Sequence, residues 1–241
     1  MNRTAVGCLI GALVLALLVS VGLNMAQSML LLGQEAAGLD GREKLTEKLE
    51  TPGGKNATDK IARVDLEGII ASTEEGGLMG MAVAGPDFIK RALEQALEDT
   101  DVKAVLLRVN SPGGEVTASD TIYAAVKKAA EKKPVVVFMD SMAASGGYYV
   151  ACGATKVVAA ETTLTGSIGV IMESMSYHDL FDKVGLATRT FTSGAFKDTL
   201  SGARPMREDE RVYVQGLVNE MYERFLGIVA QARGKPAETL R

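Results

Sequence analysis

Met139-Asp140-Ser141-Met142-Ala143-Ala144-Ser145-Gly146-Gly147-Tyr148-Tyr149 is the stretch on which the reading of this chain turns. The β-branched residues Val135, Val136 and Val137 lead into it, and a helix-like apolar segment, Tyr148 to Ala151, closes it. A strand, a tight turn bearing a serine and then a helix is a physical arrangement suited to a nucleophile. The first N–H groups of a helix have no intrahelical partner and favour negative charge. A serine held there can attack a carbonyl while neighbouring amides stabilise the oxyanion. Small neighbours let a substrate backbone come close. The other reading is a glycine-rich helix cap with an incidental serine, and this stretch alone leaves both open.

Outward from this turn, the pattern repeats. Ile61 to Ile70 alternates apolar and polar residues as a strand does, and Ala71 to Pro86 is a glycine- and methionine-rich loop. A helix begins at Asp87, the expected N-cap, with Phe88, Ile89, Ala92, Leu93, Ala96 and Leu97 at helical spacing. Val102 to Val109 is a buried strand ended by Asn110-Ser111-Pro112-Gly113-Gly114, and a helix follows from Thr117 to Lys132. Pro134 to Met139, Lys156 to Ala160, Ser167 to Met172 and Ala187 to Phe191 read as further strands. His178 to Lys183 is a short helix closed by Gly185, residues 192–198 form a turn, and Arg207 to Arg233 is a long amphipathic helix. Strands alternating with helices predict an α/β fold with a mostly parallel sheet and flanking helices. In such folds the loops at the carboxyl ends of the strands share one crevice. Residues 110–114 and 139–147 both fall at such ends.

The chain has 241 residues and a net charge of −4, enough for one sizeable domain plus appendages. Mild acidity without a basic block argues against nucleic acid as a partner. His178 is the single histidine, so a Ser-His-Asp triad either uses it or does not exist. The two cysteines, Cys8 in an apolar run and Cys152 after the serine turn, have no metal-ligand spacing, and their settings differ too much for a disulfide. No metal or cofactor is expected.

Val6 to Leu23 is almost wholly apolar and extends through Met25 and Met29 to Gly33. A membrane span needs about 17–25 such residues. Residues 1–33 are therefore expected to form an N-terminal transmembrane helix; a cleaved signal peptide is the competing reading. Arg3 ahead of the run favours the N-terminus inside and the domain outside. Residues 34–60 read as a solvated linker with a short helix over 41–50, and 61–241 as the main domain. The chain stops at Arg241 where a new helix begins, which leads us to expect a further C-terminal segment.

Asn110 to Gly114, Ser141 to Tyr149, Leu164-Thr165-Gly166-Ser167-Ile168-Gly169 and Ser193-Gly194-Ala195-Phe196-Lys197 together resemble the signal peptide peptidase A family, over Ile61 to Arg233. These are bacterial membrane-anchored serine peptidases with a Ser–Lys dyad and a fold like that of Clp protease and the crotonases. The resemblance implies Ser145 as nucleophile, Lys197 as general base and Ser167 as the residue that orients the lysine amine. It implies the N–H groups of Gly114 and Gly146 as the oxyanion hole. It further implies signal peptides and other hydrophobic peptides as substrates, homo-oligomeric assembly, and a single-pass location in the cytoplasmic membrane with the domain on the extracytoplasmic side.

The chemistry is consistent with these roles. A lysine acts as a base only where burial disfavours its charged form, and Gly194, Ala195 and Phe196 suit such a pocket. Asp198 opposes this unless it turns away. His178 reads as a cap or surface residue, Cys152 as a small packed one, Tyr148 and Tyr149 as core or cleft wall, and Arg204 and Arg207 as solvated. Two other functions remain. A crotonase-like acyl-CoA enzyme uses the same oxyanion logic without a nucleophile, and a catalytically inactive membrane scaffold uses none of it.

Overall fold

β1 (Lys60–Ile70) and β3 (Val102–Gly114) are the longest strands and lie side by side, parallel, from Lys60 opposite Val102 to Ile70 opposite Gly114. Their alternate residues Val64, Leu66, Val105, Leu107 and Val109 are buried, as the period-2 pattern requires. The protein is described here as a computed structural model covering residues 17–25, 44–54, 56–72 and 82–240. It divides into two units, 1–48 and 49–241.

In the first unit residues 17–25 are helical, with Leu17, Leu18, Leu23 and Met25 exposed. The remainder of the expected anchor, 1–16 and 26–33, lies outside the described residues. Among the described residues no helix is long and apolar enough to cross a membrane. The helix expected over 41–50 is absent from its described part, where 44–49 have no regular structure. A segment that short holds a helix only when packing supports it.

The second unit is built on one sheet. Its order is β2 (Val83–Ala84), β1, β3, β4 (Val135–Ala144) and β5 (Lys156–Ala159), with β6 (Leu164–Gly166) also on β4. Every one of these pairs is parallel. α1 (Pro86–Glu98), α2 (Val116–Ala130) and α3 (Gly146–Ala151) pack on the sheet. Ile89, Leu93, Ile122, Val126, Tyr149 and Val150 meet the buried strand residues in one core. Proline at the first position of α1 fits there because its missing N–H has no intrahelical partner anyway. The cap is Gly85, not Asp87, which sits in the first turn.

Both strands that lead to the predicted site run further than expected. β3 continues through Ser111 to Gly114 because Ile69 and Ile70 pair with Gly113 and Gly114. β4 continues through Ala144 because Ala143 pairs with Ser111 on one side and Thr165 on the other. In contrast, Ser167 to Met172 and Ala187 to Phe191 are not strands. Ile171 is 83% exposed and Phe191 95%, so neither segment has a covered face on which to pair. β-propensity alone does not make a strand without that setting.

α4 (His178–Lys183) is short and half-exposed or exposed throughout, and Gly185 follows it at φ 73°. α5 (Glu208–Arg233) ends at a left-handed Gly234, the usual glycine stop. α5 docks on α3. Phe225 packs on Tyr149 with ring centroids 4.9 Å apart, and Tyr149 meets Tyr123 edge-on at 5.4 Å. The Tyr149 hydroxyl donates to Asp120 Oδ1 at 2.6 Å, and Arg224 Nη2 donates to the same oxygen at 2.7 Å. Burial, then the Asp120 carboxylate, pushes the Tyr149 phenol well above its ordinary range. Arg233 Nε donates to the Tyr148 hydroxyl at 2.8 Å and lies over its ring. Phe225 is 3% exposed. Phe225→Ala is therefore expected to cost about 3–5 kcal/mol of stability, read as a lowered urea midpoint. An unchanged midpoint would mean that α5 does not depend on this contact.

Candidate active site

Ser145 is the junction between β4 and α3, and its backbone is held at φ 50°, ψ −119°. A side chain rarely adopts positive φ, at a cost of about 1–3 kcal/mol, so surrounding bonds must impose it. Two do so directly. The Ser145 N–H donates to Gly166 O at 2.8 Å, and Ser145 O accepts the Tyr149 N–H at 2.9 Å. The serine side chain makes no capping bond to α3, which leaves its oxygen available.

β3 brings its glycines against this junction. Gly113 has φ 97°, and a β-carbon there would lie 2.5 Å from Gly146 N and 2.8 Å from Ser145 Cβ. A β-carbon on Gly146 would lie 3.3 Å from Gly114 N, 3.2 Å from Gly113 Cα and 2.3 Å from Ser119 Oγ. The backbones of 113–114 and 145–146 therefore touch, and only glycine allows it. This contact puts the Gly114 and Gly146 amides beside the serine. Gly114 is exposed while Gly146 is buried.

β6 closes the other side. Ala144 pairs with Gly166, Thr165 Oγ1 donates to Ala143 O at 2.8 Å, and Thr163 Oγ1 donates to Asp140 O at 2.7 Å. Ser167 follows directly, exposed and at φ 53°. Its backbone is thus one residue from the carbonyl that holds Ser145.

Lys197 is placed differently. It lies exposed on a turn whose N–H donates to Gly194 O at 3.2 Å. Phe196 beside it is 46% exposed, so the desolvating pocket expected from 194–196 is not formed within the single chain. Among the described residues no hydrogen bond or ion pair joins Lys197 to Ser145 or Ser167. The turn itself is braced. Arg204 donates to Asp198 at 2.7 and 2.8 Å and to Glu210 Oε2 at 2.8 Å. Arg207 Nη2 donates to Ala195 O at 2.8 Å, and the Arg207 N–H to Glu210 Oε2 at 2.9 Å. Arg204 is consequently no simply solvated residue, and the Asp198 carboxylate is committed to it. Glu210 is 1% exposed, and its bonds from Arg204 and Arg207 hold its carboxyl down to about 2.

His178 opens α4; its Nε2 lies 3.6 Å from Asp182, and its N–H donates to Gly202 O at 3.0 Å. Cys152 is half-buried, and burial pushes its thiol up to about 11, so it is a packing residue rather than a reactive thiolate. Among the described residues no cluster of His, Cys, Asp and Glu is arranged to hold a metal ion. Sequence reasoning passed over Ser111, Ser119, Thr163 and Thr165. For Ser111 a signal existed: it continues the buried period of Val105, Leu107 and Val109, where a polar side chain must have a partner.

The depressed Glu210 carboxyl makes a pH prediction. A lowered folded-state value stabilises above the ordinary carboxylate range and is lost as pH falls toward about 2. The gap in urea midpoint between the wild type and Glu210→Gln should be widest above pH 5 and close as pH falls toward 2. A gap independent of pH would contradict the assignment.

The profile of peptidase family S49 matches residues 127–241. A protein of Enterococcus faecium, provisionally named signal peptide peptidase SppA, is 35% identical over 83% of this chain and 58% of its own length. Protease 4 of Haemophilus influenzae is 37% identical over 74% of this chain and 28% of its own length. The chloroplastic serine protease SPPA of Arabidopsis thaliana is 33% identical over 79% of this chain and 28% of its own. The chain thus spans less than two thirds of the length of these relatives. Among solved structures, a ClpP1 mutant from Listeria monocytogenes aligns with a TM-score of 0.45 at 16% identity, over 74% of this chain and 75% of that one. The serine turn, its glycine neighbours, the profile match and these relatives together identify residues 127–241 of this chain as a peptidase S49 domain, similar to those of the SppA and protease 4 proteins.

Proposed function

We propose that this chain is a membrane-anchored serine endopeptidase that degrades remnant signal peptides through a Ser145–Lys197 dyad. The observation that carries the reading is the backbone of Ser145, held at φ 50° with the 113–114 and 146 backbones in contact beside it. That geometry presents a hydroxyl at a helix start next to two amides suited to an oxyanion.

The route follows from the residues. The Ser145 hydroxyl adds to the scissile carbonyl carbon, and its proton passes to the Lys197 amine. The N–H groups of Gly114 and Gly146 hold the oxyanion. Collapse breaks the C–N bond, and the lysine's proton goes to the leaving amine. Water then adds to the ester, giving its proton to Lys197, and the ester C–O bond breaks with that proton returning to Ser145. Ser167 accepts or donates a bond to the amine and orients it.

Lys197 is exposed in a single chain, and a lysine needs burial to act as a base. A homo-oligomer supplies this burial in our reading. Ile171, Met175, Leu186, Phe191 and Phe196 lie exposed in the same part of the sequence, and contact with a second copy would cover them. The same cover would desolvate the lysine. Hydrophobic peptides suit a domain tethered to a membrane by an apolar N-terminal run, and Arg3 ahead of that run favours the extracytoplasmic side of the cytoplasmic membrane for the domain.

Hydrolysis of a fluorogenic hydrophobic peptide across pH 6 to 10 tests the reading, with detergent-solubilised protein. Ser145→Ala and Lys197→Ala are expected to lose at least about 10³-fold in kcat, with His178→Ala retaining activity. Activity that survives Lys197→Ala and disappears with His178→Ala would replace the lysine with the histidine. Activity that survives Ser145→Ala would remove the nucleophile.

A further inference from the structure

Ser111 is a fully buried polar residue in the strand that carries the oxyanion loop. Its hydroxyl is committed twice. Oγ donates to Gly68 O at 2.6 Å and accepts the Gly113 N–H at 3.1 Å. Gly68 lies at φ 87° where β1 shifts register against β3, between the Glu67 and Ile69 pairs. Gly113 lies at φ 97° against Ser145 and Gly146. One hydroxyl therefore ties an irregularity in β1 to the glycine that touches the nucleophile. The Ser111 main chain is pinned as well: it pairs with Ala143 of β4, and its carbonyl is 3.0 Å from where a Gly147 β-carbon would lie.

The consequence is directional. With the Gly113 N–H turned back onto Ser111 Oγ, the peptide joining 112 and 113 has a fixed orientation. That fixes the entry into the next peptide, which carries the Gly114 N–H. A peptide free to rotate would swing this donor away from the serine. Removing the hydroxyl also takes this partner away from the buried Gly113 N–H and from the half-buried Gly68 carbonyl. Such groups seek new ones, and the local backbone turns to find them.

We propose that Ser111 is a positioning residue for the oxyanion hole: its buried hydroxyl sets the orientation of the Gly113–Gly114 backbone and so aims the Gly114 N–H at the tetrahedral intermediate. The proposal rests on the reading of Ser145 as nucleophile and Gly114 as oxyanion donor. Ser111 itself touches neither substrate nor reacting atoms. Its effect is confined to the state in which charge develops on the carbonyl oxygen. Binding of an uncharged peptide does not call on it.

The test uses the full chain and four variants, Ser111→Ala, Ser111→Thr, Ser111→Val and Ser145→Ala. A peptide aldehyde, which forms a tetrahedral adduct with the serine, reports on the oxyanion hole; a product peptide of the same sequence reports on ground-state binding. Removing an oxyanion donor outright costs about 10²–10³ in kcat, and misdirecting one should cost Ser111→Ala about 10–100-fold. KM and product-peptide affinity should stay within about twofold. Aldehyde affinity should fall by the same factor as kcat/KM. Threonine and valine have nearly the same shape and differ by the hydroxyl, so Ser111→Thr should exceed Ser111→Val in both kcat and aldehyde affinity. That comparison holds even where the added methyl lowers stability in both. Equal kcat and aldehyde affinity in the Thr and Val variants, or an Ala variant that loses product and aldehyde binding alike, would overturn the proposal. Ser145→Ala separates the two levels: an active Ser145→Ala removes the underlying reading, whereas an inactive one with unaffected Ser111 variants removes this inference alone.

Discussion

The backbone of Ser145 at φ 50° is the constraint on which the rest of this structure depends. Left-handed backbone at a serine is unfavourable by itself, and it persists only because neighbours over-determine it. β6 takes its N–H, α3 takes its carbonyl, and β3 fills the space beside it with glycine. The first two are main-chain bonds, and the third is a close approach that only glycine allows. Parallel pairing delivers them. With β1, β3, β4 and β6 running in one direction, their carboxyl ends converge, and the glycines of β3 and the serine of β4 meet.

Around this centre two polar networks reach the long terminal helix. At one end Arg204, Arg207 and Glu210 fasten the turn of Lys197 to the start of α5. Further along, Asp120, Tyr149 and Arg224 fasten α5 to the helix that opens at Ser145. One helix thus has contacts with the elements of both proposed dyad members. The two ends differ in cover. The Tyr149 network sits over packed aromatic rings, whereas the lysine turn is exposed beside uncovered apolar side chains. In the proposed function, the lysine turn is the part of the site that a second copy would cover.

The strand, turn and helix around Ser145 were legible from the valine run, the small residues and the apolar segment in succession, whereas that stretch alone did not decide between a nucleophile and an incidental cap. The flanking strands were legible from their apolar patterning, and α5 from its apolar spacing. What was misread has physical causes. Asn110 to Gly114 looks like a turn because proline and glycine usually make one, yet partners on both sides of β3 keep it extended. Ser167 to Met172 and Ala187 to Phe191 look like strands by composition, but pairing requires a neighbour that nearby sequence cannot reveal. The commitment of Arg204 to two carboxylates crosses a loop with no periodic spacing, so no sequence pattern announces it. The hydroxyl of Ser111 was detectable by its place on the buried side of β3; its partner Gly68, 43 residues earlier, was not.

The most direct measurement is covalent labelling of the full chain with a fluorophosphonate, with the adduct located by mass spectrometry. The reagent reacts with a serine oxygen only where a base and an oxyanion site activate it. The account predicts a single adduct on Ser145, formed at a rate that rises with pH and disappears in Lys197→Ala. An adduct on another residue, or labelling of Ser145 indifferent to Lys197, would contradict it.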